Sequence, residues 1–194
     1  MTSPHGPWIR SVAWDEADGV LRAAYDWQAE RLGEPTEFTM LGGLYPDLVL
    51  ERLRLYKVVE ACPSHLRPVE RLIAALVASH LNDTTHCSSG LRLRLDSEGM
   101  TPQLVATILA DPSGRRSGDA RLDAVASYAA RLTTSPASIG AADIDELRAV
   151  GLDDLDILDL NNMVAYYNYV NRVANGLGLR SEIPAGHALH AAPR

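Results

Sequence analysis

Lysine is almost absent from this chain. Lys57 is the only lysine among 18 lysine and arginine residues, so the positive charge is arginine, which grips carboxylates through a planar fork where lysine offers a point charge. The net charge of -7 excludes the basic footprint with which proteins hold nucleic acid or anionic lipid. Cysteine is scarce too. Cys62 and Cys87 are the only two, too few for a disulfide framework, and both are expected as reduced thiols. No apolar run reaches the length of a membrane span, and the opening MTSPHGPWIR has no apolar core of a secretory signal. Together these absences predict a cytoplasmic protein that works on neither nucleic acid nor membrane. Alternation of apolar and polar residues, the mark of a half-buried strand, is missing as well.

What is present is helical periodicity. The chain has 194 residues, 46% of them hydrophobic and 22% charged, enough for one domain with a real core. Apolar spacing predicts a first helix over 15–31 ending near Gly33, then a loop from Gly33 to Tyr45. Pro46 and Pro68 suit the first positions of two further helices, 46–60 and one beginning at Pro68. Asn82, Asp83 and Thr84 are N-cap residue types, so a fourth helix starts there and runs to Gly99. Further helices are expected over 102–110, 120–132, 142–150 and 154–175, with DPSGRRSGD as an exposed loop. Division by pattern gives an N-terminal helix and loop over 1–43, a helical core over 44–179, and an extended tail over 180–194.

Two stretches carry a resemblance. VERLIAALVASHLNDTTHCSSG and GLDDLDILDLNNMVAYYNYVNRVANGLG resemble the peroxidase-related subgroup of the alkylhydroperoxidase D / carboxymuconolactone decarboxylase superfamily, over about residues 44–179. The resemblance implies an all-α, single-domain helical bundle. It also implies thiol chemistry at a helix-terminal CxxC, with a histidine one turn later and a glutamate on the preceding helix. A helix N-terminus lowers a thiol pKa, histidine and glutamate relay its proton, and the other cysteine resolves a sulfenic acid as a disulfide. In this sequence the first cysteine position holds Thr84, the histidine position Leu91 and the glutamate position Leu72. Cys87 remains, with His86 beside it. Dithiol peroxidase chemistry is therefore not expected, and no Cys62–Cys87 disulfide either.

The polar residues left at this junction are His80, Asp83, Thr84, His86 and Cys87. One reading makes His86 a general acid/base oriented by Asp83, with Thr84 as a hydrogen-bond donor, Cys87 as a polar or nucleophilic partner, His80 in contact with substrate, and Leu72 and Leu91 as apolar walls. The competing reading has Asp83 capping a helix, His86 on the surface and Cys87 as a small buried hydrophobe. Zinc on these groups is disfavoured because the spacing fits no common zinc signature, and no cofactor is expected. Tyr166, Tyr167, Asn168, Tyr169, Asn171 and Arg172 read as packing and amide hydrogen bonding, and Trp8, Trp14 and Trp27 as anchors of the N-terminal region.

These residues predict an enzyme doing cofactor-independent acid/base chemistry, of the decarboxylase, lyase or isomerase type, on a small organic molecule. A single-cysteine peroxidase-related oxidoreductase and a catalytically silent binding protein are the alternatives. The resemblance further implies a homo-oligomer, dimer or larger.

Overall fold

A computed structural model of the chain describes residues 7–183. Their regular structure is helical, with no strand among the described residues: α1 (Gly19–Leu32), α2 (Glu37–Leu41), α3 (Pro46–Glu60), α4 (Pro68–Leu81), α5 (Thr85–Ser97), α6 (Pro102–Ala110), α7 (Ala120–Thr134), α8 (Ala141–Ala149) and α9 (Asp154–Gly176), with a 3-10 turn at Pro136–Ser138.

The fold is organised around α4. Every residue from Leu72 to Ser79 is buried, as a helix must be when it is apolar on all sides. Helices α5, α7 and α9 pack around it, and α6 touches it. Glu70 starts the helix: its carboxylate accepts the Arg67 backbone N–H at 2.7 Å and is gripped by the Arg67 and Arg121 guanidinium groups. This places Glu70 wholly in structural service. The end of α4 closes through Asp83 N–H to the His80 carbonyl (3.0 Å) and Thr84 N–H to the Ser79 carbonyl (2.9 Å). That pair of bonds needs a left-handed residue between helix and turn, and Asp83 supplies it with φ of 51°.

A smaller apolar cluster joins α1 to α3 through Leu21, Ala24, Tyr25, Val49 and Leu53, with Trp14 and Trp27 packed against it. Trp14 Nε1 donates to Asp26 at 2.7 Å, and Lys57 lies over the Trp27 ring at 5.3 Å. Trp8 docks at the far end of the chain: its N–H donates to the Leu177 carbonyl, and its ring covers Gly178, where an added Cβ would meet the indole at 2.5 Å.

The structure departs from the sequence reading in two places. Helix α1 begins at Gly19 and not at Asp15, because Trp14–Glu16 form a turn and Gly19 takes a positive φ of 50°. The segment 33–45 is not a plain loop but holds α2. Thr36 caps it by accepting the Thr39 N–H, and Arg52 reaches across from α3 to donate to the Phe38 carbonyl at 3.0 Å. Five residues cannot form a lasting helix alone. A long-range arginine that sequence spacing does not reveal holds this one. Beyond α9, residues 181–183 have no regular structure and lie against the start of α5; the remainder of the 180–194 tail, with His187 and His190, lies outside the described residues.

Candidate functional site

The first turn of α5 carries the chemistry. Thr84 occupies the N-cap position, His86 and Cys87 follow on the inward side, and both are buried. They open into a cavity of about 120 Å³ walled by α1, α3, α5 and α9, whose lining includes Leu53, Tyr56, Leu91, Tyr166, Tyr167 and Val170. The segment after α9 borders one side of it, with Ile183 among the lining residues and held by a 2.8 Å bond from its N–H to Ser89 Oγ.

His86 is held from outside its own helix. Its Nδ1 lies 3.1 Å from the Ser181 carbonyl oxygen. A carbonyl only accepts, so in the neutral ring Nδ1 carries the proton and Nε2 is the basic nitrogen. Glu37 of α2 brings a carboxylate oxygen within 4.0 Å of the same Nδ1, and it accepts a short bond from the Ser181 hydroxyl. The carboxylate near this imidazole is thus Glu37, which the sequence reading missed. Asp83, proposed from sequence as the orienter, lines a different and wider groove of about 470 Å³ with His80, Thr84 and Arg92. The helix-closing geometry at Asp83 turns it away from the buried site.

The other sequence candidates divide in the same manner. Thr84 is buried, but its hydroxyl accepts from Asn175 Nδ2 at 2.9 Å. Asn82 meets Asn168 at 2.9 Å and Asn175 through its carbonyl at 2.7 Å. The asparagines of α9 therefore clamp the α4–α5 turn as hydrogen-bonded packing. His80 is exposed. Leu91 lines this cavity, whereas Leu72 lines a neighbouring 660 Å³ cavity that shares Leu91, Arg94 and Tyr167 with the first. Of seven sequence candidates, then, His86, Cys87 and Leu91 meet in one place.

Burial pushes the Cys87 thiol up to about 12, which outweighs the help a helix N-terminus gives a thiolate. The thiol is a neutral donor at ordinary pH. Burial likewise raises Tyr56, Tyr166 and Tyr167 above the usual phenol range. Tyr56 donates to Glu60 at 3.0 Å, and Arg94 pairs with the same carboxylate at 3.1 Å. Burial works against the charge of Glu60, but Arg94 overcomes it and holds this carboxyl below its ordinary range. Both cysteines are free thiols. One trio among the described residues could meet a cation, His65, Asp153 and Asp156. Its carboxylates are already engaged: Asp153 caps α9, and Asp156 accepts the His65 N–H at 2.6 Å.

No family model and no curated protein matches the sequence. Solved structures do match. A peroxidase-related protein with an alkylhydroperoxidase AhpD core from Ralstonia eutropha JMP134 aligns with a TM-score of 0.80 at 17% identity, covering 92% of this chain and 93% of that one. The fold is the alkylhydroperoxidase D-like one. A peroxidase-related protein from Silicibacter sp. TM1040 gives a TM-score of 0.76 at 24% identity over 97% and 99% of the two chains. A variant of the debrominase Bmp8, solved in complex with 2,3,4-tribromopyrrole, gives 0.70 at 18% identity over 99% and 96%. An all-α bundle of this type is what the α4–α5 and α9 sequence stretches led one to expect. Among the described residues no helix is long and apolar enough to cross a membrane.

Proposed function

We propose that this chain is a cytoplasmic small-molecule enzyme that uses the α5 cavity for proton-transfer chemistry without a cofactor. The observation that carries the reading is the buried imidazole of His86 on the wall of the cavity, with its Nδ1 held against the Ser181 carbonyl. Such an imidazole can take a proton from a bound carbon acid and return it at another position. The neutral thiol of Cys87 stands beside it as a donor. Thr84 has no direct part in this scheme, and Glu37 replaces Asp83 as the carboxylate that supports the imidazolium. A cavity this small and apolar suits a single substituted ring, in keeping with the bromopyrrole held by the debrominase Bmp8 of the same fold.

The test is deuterium exchange. Small enolisable and aromatic acids are incubated with the protein in D2O, and loss of C–H signal is followed by NMR. His86→Ala should lower the exchange rate by about a hundredfold or more. Exchange that ignores His86, alongside peroxide consumption that needs Cys87, would replace this reading with the single-cysteine one.

We also propose a homo-oligomer. Leu44, Tyr45, Leu48, Leu55 and Val58 at the start and along α3 are exposed, as are Leu155 and Leu158 of α9, and exposed apolar side chains of this number favour burial against another copy. Sedimentation at micromolar concentration should give a dimer or larger species; a stable monomer would count against it.

A further inference from the structure

Arg52 is 5% exposed and sits on the inward side of α3 between Val49 and Leu53. Each half-buried arginine among the described residues has a carboxylate: Arg71 has Asp159, Arg94 has Glu60 and Arg121 has Glu70. Arg52 forms no ion pair among the described residues. Its Nη2 donates to the Phe38 and Thr39 carbonyls at 3.0 and 3.5 Å, and no bond from Nη1 or Nε is made there. A buried cation without an anion is costly, and proteins retain one where a ligand supplies the missing charge.

The guanidinium is also held in place. Its carbon lies 4.1 Å from the centre of the Phe38 ring, and Gly42 backs it so closely that an added Cβ would sit 3.3 Å from both Nη atoms. Arg52 lines the same cavity as His86 and Cys87. Tyr166 lines it too, its hydroxyl makes no hydrogen bond among the described residues, and burial keeps that phenol protonated. Arg52 and Tyr166 thus line a space shared with Leu53, Leu91, Tyr167 and Val170, with Arg94, whose charge Glu60 already takes up, and with the exposed Arg31.

We infer that the cavity selects a small ring-bearing anion, its negative group seated against Arg52 and the Tyr166 hydroxyl. The assignment rests on the reading of this cavity as a small-molecule site, and it adds the charge of the ligand. A carboxylate on the ring fits the planar fork of arginine better than a neutral amide of the same shape. It also places the ring among Leu53, Leu91 and Val170, within the space that His86 borders.

The experiment compares benzoate with its neutral isostere benzamide on the full chain, by NMR titration read at the Gly90 and Ile183 amides, which border the cavity. Benzoate should bind at least about tenfold more tightly, the scale of a charged hydrogen bond. Arg52→Gln should abolish the preference, weakening benzoate far more than benzamide. Since Arg52 also holds the α2 carbonyls, Tyr166→Phe serves as a second variant, expected to weaken benzoate several-fold and benzamide less. Equal affinity of the two probes for the unaltered protein, or a preference that survives in folded Arg52→Gln, overturns the anion assignment and leaves the cavity reading standing. If neither probe perturbs Gly90 or Ile183, the cavity reading itself fails and the assignment falls with it.

Discussion

Nδ1 of His86 and the carbonyl oxygen of Ser181 meet at 3.1 Å although 95 residues separate them. The bond ties the start of α5 to the segment after α9, so the state of the imidazole depends on chain that lies outside the helical core. Removal of residues 180–194 should free the ring. Its modification by diethyl pyrocarbonate, mapped by mass spectrometry, should then speed up severalfold, and the proton-exchange activity should fall with it. Unaltered reactivity after truncation would mean that Ser181 does not hold the ring in solution.

Cys87 sets a pH dependence of definite sign. Its thiol titrates near 12 in the folded protein, against 9.0 for an unburied thiol. The stability that comes from keeping it neutral is fully present below pH 9 and is lost progressively as pH rises from there towards 12. Denaturant midpoints should therefore drop on the alkaline side, and Cys87→Ala should flatten that drop. Below pH 8, iodoacetamide should label exposed model thiols far faster than Cys87.

Asp83 has its position for backbone reasons, and substitutions should say so. Asp83→Gly relieves the left-handed strain and should leave stability unchanged or raise it by up to about 1 kcal/mol, whereas Asp83→Val should cost about 1–2 kcal/mol. Asp83→Asn should keep both fold and turnover. A hundredfold loss of turnover in a folded Asp83→Asn protein would restore the acid/base role read from the sequence.

Arg71 should be the more damaging residue to lose. It joins α4 to Asp159 of α9 and also donates to the Val59, Glu60 and Cys62 carbonyls at 2.9–3.1 Å. Burial pushes the Asp159 carboxyl above its ordinary range even with Ser64 and Arg71 beside it. Arg71→Ala strands that carboxylate and should destabilise the fold by about 3–5 kcal/mol in chemical denaturation.

The helices were legible from the chain because their signals are local. Pro46, Pro68 and Pro102 stand at helix starts that the structure keeps. His86 and Cys87 could be singled out because a resemblance pointed to their turn. Glu37 and Arg52 could not. Glu37 sits in a five-residue helix with no pattern of its own, and its nearness to His86 depends on α2 docking across 48 intervening positions. Arg52 did leave a trace, a charge on the stripe Val49, Arg52, Leu53, Tyr56 and Glu60 that otherwise turns inward on α3. Asp83 misled for the opposite reason: the residue types that cap a helix start also tolerate the left-handed turn that closes the previous helix, and only the backbone angle separates the two.

The unbroken burial of α4 from Leu72 to Ser79 also dictates how the molecule breathes. An amide in a helix with water on no side exchanges its hydrogen only when the surrounding helices come away together. These eight amides should therefore form the slowest-exchanging group and report the stability of the whole domain. The cavity borders α1, α3 and the short span 181–183, which are packed by a separate and smaller apolar cluster and a few hydrogen bonds. Entry and exit of a ligand fall to that side, on timescales that leave the amides of α4 protected.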